Sequence, residues 1–355
     1  MKQPVKAGLR LALLAFLFAV IFLFVNGGSI RFPQAKESER PLPPPRSSAE
    51  AAAPTRQATP VDTPVGQPRP IIGIGIMGDS NSDEYQADDS RGGNFRQYTL
   101  NWVEQLARAR NLNFGPWGEW GEPRRSGYKY NWARSGASTG SFIKQGQHTG
   151  LAEQVANGEV SHVIVYIGGA DFHLERGTYA EIYDGTLDDR AVQRKIDRII
   201  ENLTLAVDTV LEAGDVQMVL VNFLDRGQSL EAMQRFPNEA GRERVSRAIQ
   251  ETNERVRLMA EERGIVVVDM NVFVEKTLQR MEGDRYLNVG GELINIVEKG
   301  NDPRYLQLRD RSGHMGTVIS GLLANAILVE PFNQAFGYDI EPLSDLEILQ
   351  LAGLR

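Results

Sequence analysis

The chain contains no cysteine in its 355 residues, which removes disulfides, thiolate metal sites and a lipid-modified cysteine anchor. Stability therefore has to come from a packed core. Histidine is scarce as well: His148, His162, His173 and His314 are the whole supply. Basic residues are too few for a nucleic-acid surface, because 39 Lys and Arg stand against 46 Asp and Glu, leaving a net charge of −7. A basic stripe is what nucleic acid would need, so nucleic acid is set aside as a partner. Long apolar runs are also missing, with one exception. After Lys2, Lys6 and Arg10 comes an unbroken apolar stretch from Leu11 to Val25. At about 1.5 Å of helical rise per residue it reaches roughly 22 Å, short of a hydrocarbon layer of roughly 30 Å.

Small residues (Gly27, Gly28, Ser29) follow that run without an A-x-A-like site. Residues 1–30 thus fit either a cleaved secretory signal or an uncleaved membrane anchor. Both place the body of the chain outside the cytoplasm, periplasmic or extracellular, and an anchor would tether it to the inner membrane. Residues 31–69 read as a linker, since ten of the seventeen prolines lie between Pro33 and Pro70 and large apolar residues are few there. Such a segment cannot bury enough surface to offset its ordering entropy.

Residues 70–355 read as one folded domain. Short apolar runs, Ile71 to Met77, His162 to Ile167, Val216 to Phe223 and Ile265 to Asp269, alternate with long amphipathic ones, the pattern of a mainly parallel sheet covered by helices. Val192, Ile196, Ile199, Leu203, Val207 and Val210 form one apolar stripe at spacings of three and four, and Val245, Ile249, Val256 and Met259 form another. A last helix is expected from about Thr317 to Val329.

Gly73-Ile74-Gly75-Ile76-Met77-Gly78 matches a dinucleotide-binding pattern by letter, yet its glycines lie inside a strand instead of in the turn that opens a helix. Alternating glycines there let a helix or strand pack close. Gly78-Asp79-Ser80 then ends the strand, at the edge where parallel sheets bind ligands. Asn131 to Ala137 supplies a loop glycine, Gly136, whose N–H can approach a developing oxyanion. Gly168-Gly169-Ala170-Asp171 ends another strand, and Asp310-Arg311-Ser312-Gly313-His314 precedes the last helix. Among the histidines, His173 also follows a strand and is the rival of His314.

These four pieces, in this order, resemble the blocks of the SGNH (GDSL) hydrolase family across residues 71 to 330. The resemblance implies a three-layer α/β/α sandwich and a serine acyl-ester hydrolase that needs no metal or organic cofactor. It implies Ser80 as nucleophile, His314 as base, and the N–H groups of Ser80 and Gly136 as the oxyanion hole. Two departures stand out. The family's third block carries Asn where this chain has Ala170, which removes a side-chain donor. Its triad acid precedes the histidine by three residues, which here is Arg311, so Asp310, one residue further back, is taken as the acid.

Asn81, Asn131, Trp132 and Asp171 are expected on the substrate side, with Asn81 or Asn131 able to stand in for the missing donor. The aromatic stretch from Phe114 to Trp132 reads either as a sugar- or acyl-contacting loop or as a loop fixed by burial of Trp117 and Trp120. Asp83, Glu84, Asp88 and Asp89 read as a solvated loop, not a cation site. The substrate is an ester, with an acylated glycan as the first choice. The alternatives are a binding or assembly protein with weakened catalysis, argued from Ala170 and the displaced Asp310, and an O-acyltransferase.

Overall fold

A computed structural model describes residues 68–87, 91–174, 177–227, 230–310 and 314–355. The signal-or-anchor segment, the linker up to residue 67, Asp88, Asp89 and Arg311 to Gly313 lie outside the described residues. No helix among the described residues is long and apolar enough to cross a membrane.

The fold is an α/β sandwich around a parallel sheet. Its strands are β1 (Ile74–Gly78), β4 (His162–Tyr166), β5 (Gln217–Val221) and β6 (Val266–Val268), hydrogen-bonded in that order. Each lies within the run expected for it, except that β1 extends one residue further, to Gly78. Side chains alternate between faces, so a strand covered on both sides must be apolar throughout. Ile74, Ile76, Ile164, Tyr166, Val219 and Val221 enter one core cluster, and Met77, Val163, Val165, Met218 and Leu220 enter the other.

On the second face lie α2 (Gln147–Ala156), α3 (Asp189–Ala213) and α4 (Glu239–Glu261), which carry the expected stripes through Ile196, Leu203, Val207, Val245 and Ile249. On the first face, α1 (Trp102–Arg110) packs with α5 (Thr317–Ala324), which continues through a π-helical turn, Asn325–Val329. The close approach expected of the strand glycines is present: a Cβ on Gly75 would lie 2.3 Å from Leu151 of α2.

A second sheet was not foreseen. Strands β7 (Met281–Glu282), β8 (Tyr286–Val289), β9 (Glu292–Lys299) and β10 (Tyr305–Gln307) form it in the order β10-β9-β8-β7; β10 and β9 are parallel and the other pairs antiparallel. Leu287, Val289, Ile294, Ile296 and Leu306 bury one of its faces in the same cluster as Ile74 and Ile76. The signal was an alternation of apolar and polar residues on either side of Gly290-Gly291, whose φ values of 57° and 83° suit a two-residue hairpin turn. Two further strands, β2 (Trp117–Glu119) and β3 (Ser126–Tyr128), form a small hairpin.

Candidate active site

The site grows from the end of β1. Gln147, the first residue of α2, clamps Gly78 from both sides: its Oε1 accepts the Gly78 N–H at 2.9 Å, and its Nε2 donates to the Gly78 carbonyl at 3.1 Å. The chain then turns tightly, with the Ser82 and Asp83 N–H groups donating to the Asp79 carbonyl. Ser80 is half-buried on this turn. Asp79 is buried beneath it, and its carboxylate accepts from the Asn81 backbone (3.0 Å), the Asn81 amide (2.9 Å) and the Gly169 N–H (3.3 Å). Burial raises the Asp79 carboxyl above its ordinary range, against the pull of those hydrogen bonds and the charge of Arg226.

The Gly136 loop is laced to the same turn. Trp132 N–H donates to Ile76 O, Arg134 N–H to Gly78 O, and Ser135 N–H to Asp83 Oδ2 at 2.7 Å. Gly136 itself is exposed with φ 82°, a conformation that only glycine adopts without strain. Asn131 donates its amide to Ser82 O at 2.7 Å and accepts the Ala133 N–H at 3.0 Å. Both asparagines expected as stand-ins for a third donor are therefore engaged in holding the turn.

The loop after β4 adds the third piece. Its Gly169 N–H binds Asp79, while Asp171 accepts from Thr139 through the backbone N–H (2.9 Å) and the hydroxyl (2.7 Å). Ala170 lies between them, half-buried. A cavity of about 30 Å³ opens here at the C-terminal ends of the strands, lined by Asn81, Gly168, Gly169, Asn222, Phe223 and Arg226 among others.

The fourth piece is Asp310 with His314. Asp310 Oδ2 lies 2.6 Å from His314 Nδ1, and its Oδ1 accepts the His314 backbone N–H at 3.2 Å. The spacing of four thus lets one carboxylate grip both the ring and the backbone of the histidine. Burial pushes the Asp310 carboxyl up, but the hydrogen bonds and charge of His314, with the charge of Arg91, outweigh it and hold the group below the usual carboxylate range. His314 Nε2 is buried and has no hydrogen-bond partner among the described residues.

Two residues join these pieces that had no motif to reveal them. Tyr85, five residues after Ser80, stacks obliquely on His314 with ring centroids 6.0 Å apart. Buried Arg91 lies 4.6 Å over the Tyr85 ring and donates to Asp83 O (3.3 Å) and Ser135 Oγ (2.7 Å). One guanidinium thereby touches the Ser80 turn, the Gly136 loop and the aromatic ring beside His314. A capping box fixes Tyr85 in turn. Glu104 of α1 accepts from the Asn101, Tyr85 and Gln86 N–H groups. Its burial raises it to about 7.

Several expectations change. Trp132 does not offer a free face for substrate, because its Nε1 donates to Gln154 at 3.0 Å, Gly150 of α2 packs directly on its ring, and the Arg124 guanidinium lies 4.7 Å from it and from Trp120. Trp117 is 46 % exposed and does not staple its loop to the core. Glu84 is no solvated loop residue: it is buried and accepts the Tyr128 N–H at 2.8 Å, which anchors the small hairpin. Among the described residues no group of three or more histidines and carboxylates is placed to hold a metal ion. Of the other histidines, His173 is buried in the loop after β4, His148 lies on α2, and His162 stands at the far end of the sheet.

A family model described as GDSL-like Lipase/Acylhydrolase matches residues 74–291. No curated protein matches the chain. Among solved structures, the chain is similar to an acetylxylan esterase from Geobacillus stearothermophilus at 17% identity, over 76% of this chain and 97% of that one, with a TM-score of 0.41. It is also similar to a member of the lipolytic G-D-S-L family from Veillonella parvula (16% identity, 74% and 98% covered, TM-score 0.39). An extracellular lipase from Streptomyces rimosus is a third (18% identity, 79% and 99% covered, TM-score 0.36).

Proposed function

The chain belongs to the GDSL-like lipase/acylhydrolase family and is a carboxylic ester hydrolase, and from that premise we propose that Ser80, His314 and Asp310 perform the hydrolysis through an acyl-enzyme. The observation that carries the reading is the Asp310–His314 pair. A carboxylate 2.6 Å from Nδ1 fixes that nitrogen as the protonated one and leaves Nε2, buried and without a partner among the described residues, as the basic lone pair. Ser80 Oγ attacks the ester carbonyl carbon while its proton passes to His314 Nε2. The tetrahedral oxyanion is held by the N–H groups of Ser80 and Gly136. His314 then returns the proton to the departing alcohol, and water repeats the sequence to release the acid.

With Ala170 in the third block, and Asn81 and Asn131 tied into the turn, the oxyanion hole has two donors. Losing one donor costs on the order of a hundred- to a thousandfold in turnover, about 3 to 4 kcal/mol. The enzyme is accordingly slow rather than inert. The cavity beside Asn81, about 30 Å³, supports a short acyl group such as acetyl. The charged start and apolar run of residues 1–25 support work outside the cytoplasm, where acylated glycans are available, so the substrate is read as an O-acylated glycan. The test is hydrolysis of a short-chain nitrophenyl ester by the full chain and by Ser80→Ala. Turnover in the unaltered protein and its loss in the variant are expected; equal turnover in both would remove Ser80 from the role.

A further inference from the structure

A groove of about 480 Å³ lies beside the loops that carry Gly136 and Ala170. Its floor includes Thr139 and Asp171, joined by two hydrogen bonds. One wall is a face of α3, where Arg194, Lys195, Arg198 and Asn202 recur at spacings of three and four. Lys195 is partly engaged, 3.6 Å from Glu181. Arg194 and Arg198 are exposed and have no ion-pair or hydrogen-bond partner among the described residues. Among the described residues the lining therefore holds three cations against one carboxylate, Asp171, whose oxygens already accept from Thr139.

This balance runs against the rest of the molecule. The chain's net charge is −7, and a neighbouring groove of about 350 Å³ is lined by two cations, Arg244 and Arg247, and two carboxylates, Asp189 and Glu251. Two guanidiniums without partners among the described residues, one helical turn or about 6 Å apart along the axis, present planar forks suited to carboxylates. Part of its lining comes from the loops that flank the proposed reaction centre. Ser138 in its wall follows Gly136 by two residues, and the loop that ends in Asp171 begins with the Gly169 N–H bonded to Asp79, next to Ser80.

We propose that this groove binds the anionic part of the substrate, a uronate-bearing glycan chain whose acyl ester is presented to Ser80, an inference that rests on the ester-hydrolase reading above. Arg194 and Arg198 take carboxylates of the chain, and Asn202 and the Thr139 edge face its hydroxyls.

Calorimetric titration of the full chain with an unesterified galacturonate tetramer at low salt tests this. Binding should weaken as salt is raised, and by about tenfold in the Arg194→Gln, Arg198→Gln double variant. Arg247→Gln, which removes one charge from the neighbouring groove, should leave it unaltered. Equal affinity for cellotetraose, equal affinity in the double variant, or tighter binding of a glycerol phosphate oligomer of the same charge would overturn the assignment. The two readings fail separately. Nitrophenyl ester hydrolysis without galacturonate binding removes the groove and leaves Ser80 in place, whereas binding without hydrolysis keeps the groove and removes the nucleophile.

Discussion

Two buried histidines serve opposite regions of this molecule. His162 opens β4 at the end of the sheet away from Ser80, and both of its ring nitrogens are engaged: Nδ1 lies 2.8 Å from Ser161 Oγ, and Nε2 lies 2.7 Å from Gln217 Oε1 and 2.6 Å from the Tyr338 hydroxyl. Phe332 packs on its ring at 5.1 Å. His314 stands beside the turn that follows β1, with one nitrogen fixed by Asp310 and the other buried without a partner among the described residues. A buried polar atom left unpaired costs free energy, and proteins rarely carry one without a use for it. The contrast teaches that burial alone does not mark a reactive histidine. A ring saturated with hydrogen bonds is a structural joint, and a ring held on one side only can take up a proton.

The largest effect should come from breaking the half-held ring. His314→Gln is expected to lower kcat on a short-chain nitrophenyl ester by about four orders of magnitude, and Asp310→Asn by about three to four, because the latter releases the ring from its tautomer. Both should leave KM and the melting temperature nearly unchanged, which steady-state kinetics and thermal denaturation will check. Ala170→Asn sharpens the same side of the comparison. An amide placed near the oxyanion should raise kcat by up to about a hundredfold with little change in KM. No gain in a folded variant would mean that the site is not simply missing a donor.

The saturated ring should respond in stability instead. His162→Gln is expected to cost about 1 to 3 kcal/mol in urea denaturation while the folded fraction keeps its turnover. Burial holds His162 below its ordinary value, against its hydrogen bond to Gln217 Oε1. The unfolded chain therefore takes up a proton first as pH falls below about 6.5, so stability is lost on the acid side of that value. His162→Gln should flatten this loss.

Glu104, which fixes Tyr85 beside His314, gives the opposite slope. Burial raises its carboxyl from 4.5 to about 7, so between these values the native state keeps a proton that the unfolded chain has released. Its contribution to stability is present at low pH and falls as pH rises through that window. Urea midpoints measured from pH 5 to 7 should show a weaker decline in Glu104→Gln than in the parent protein.

The parallel sheet was legible because strands covered on both faces have to be apolar along their length, as Ile74 to Met77 and Val163 to Val165 are. Asp310 and His314 were taken as partners from the family resemblance, with the acid one residue further back than its pattern has it, and their side chains lie 2.6 Å apart. The sheet from Met281 to Gln307 was passed over because its strands are short and half-polar, although the alternation around Gly290-Gly291 announced a hairpin. Arg91 and Glu84 could not be read at all. Nothing local distinguishes a buried charge from a solvated one when its partners, Ser135 and Tyr128, are more than forty residues away. Trp132 misled for a related reason, since its position next to the Gly136 loop gave no hint that α2 and Arg124 cover its ring.

Hydrolysis depends most on Ser80 being the nucleophile that the half-held histidine activates. Treatment of the full chain with a fluorophosphonate, followed by peptide mapping by mass spectrometry, tests this directly. A single stoichiometric adduct on Ser80 is expected, formed slowly or not at all in His314→Gln and formed normally in His162→Gln. An adduct on another serine, or equal labelling of Ser80 with and without His314, would contradict it.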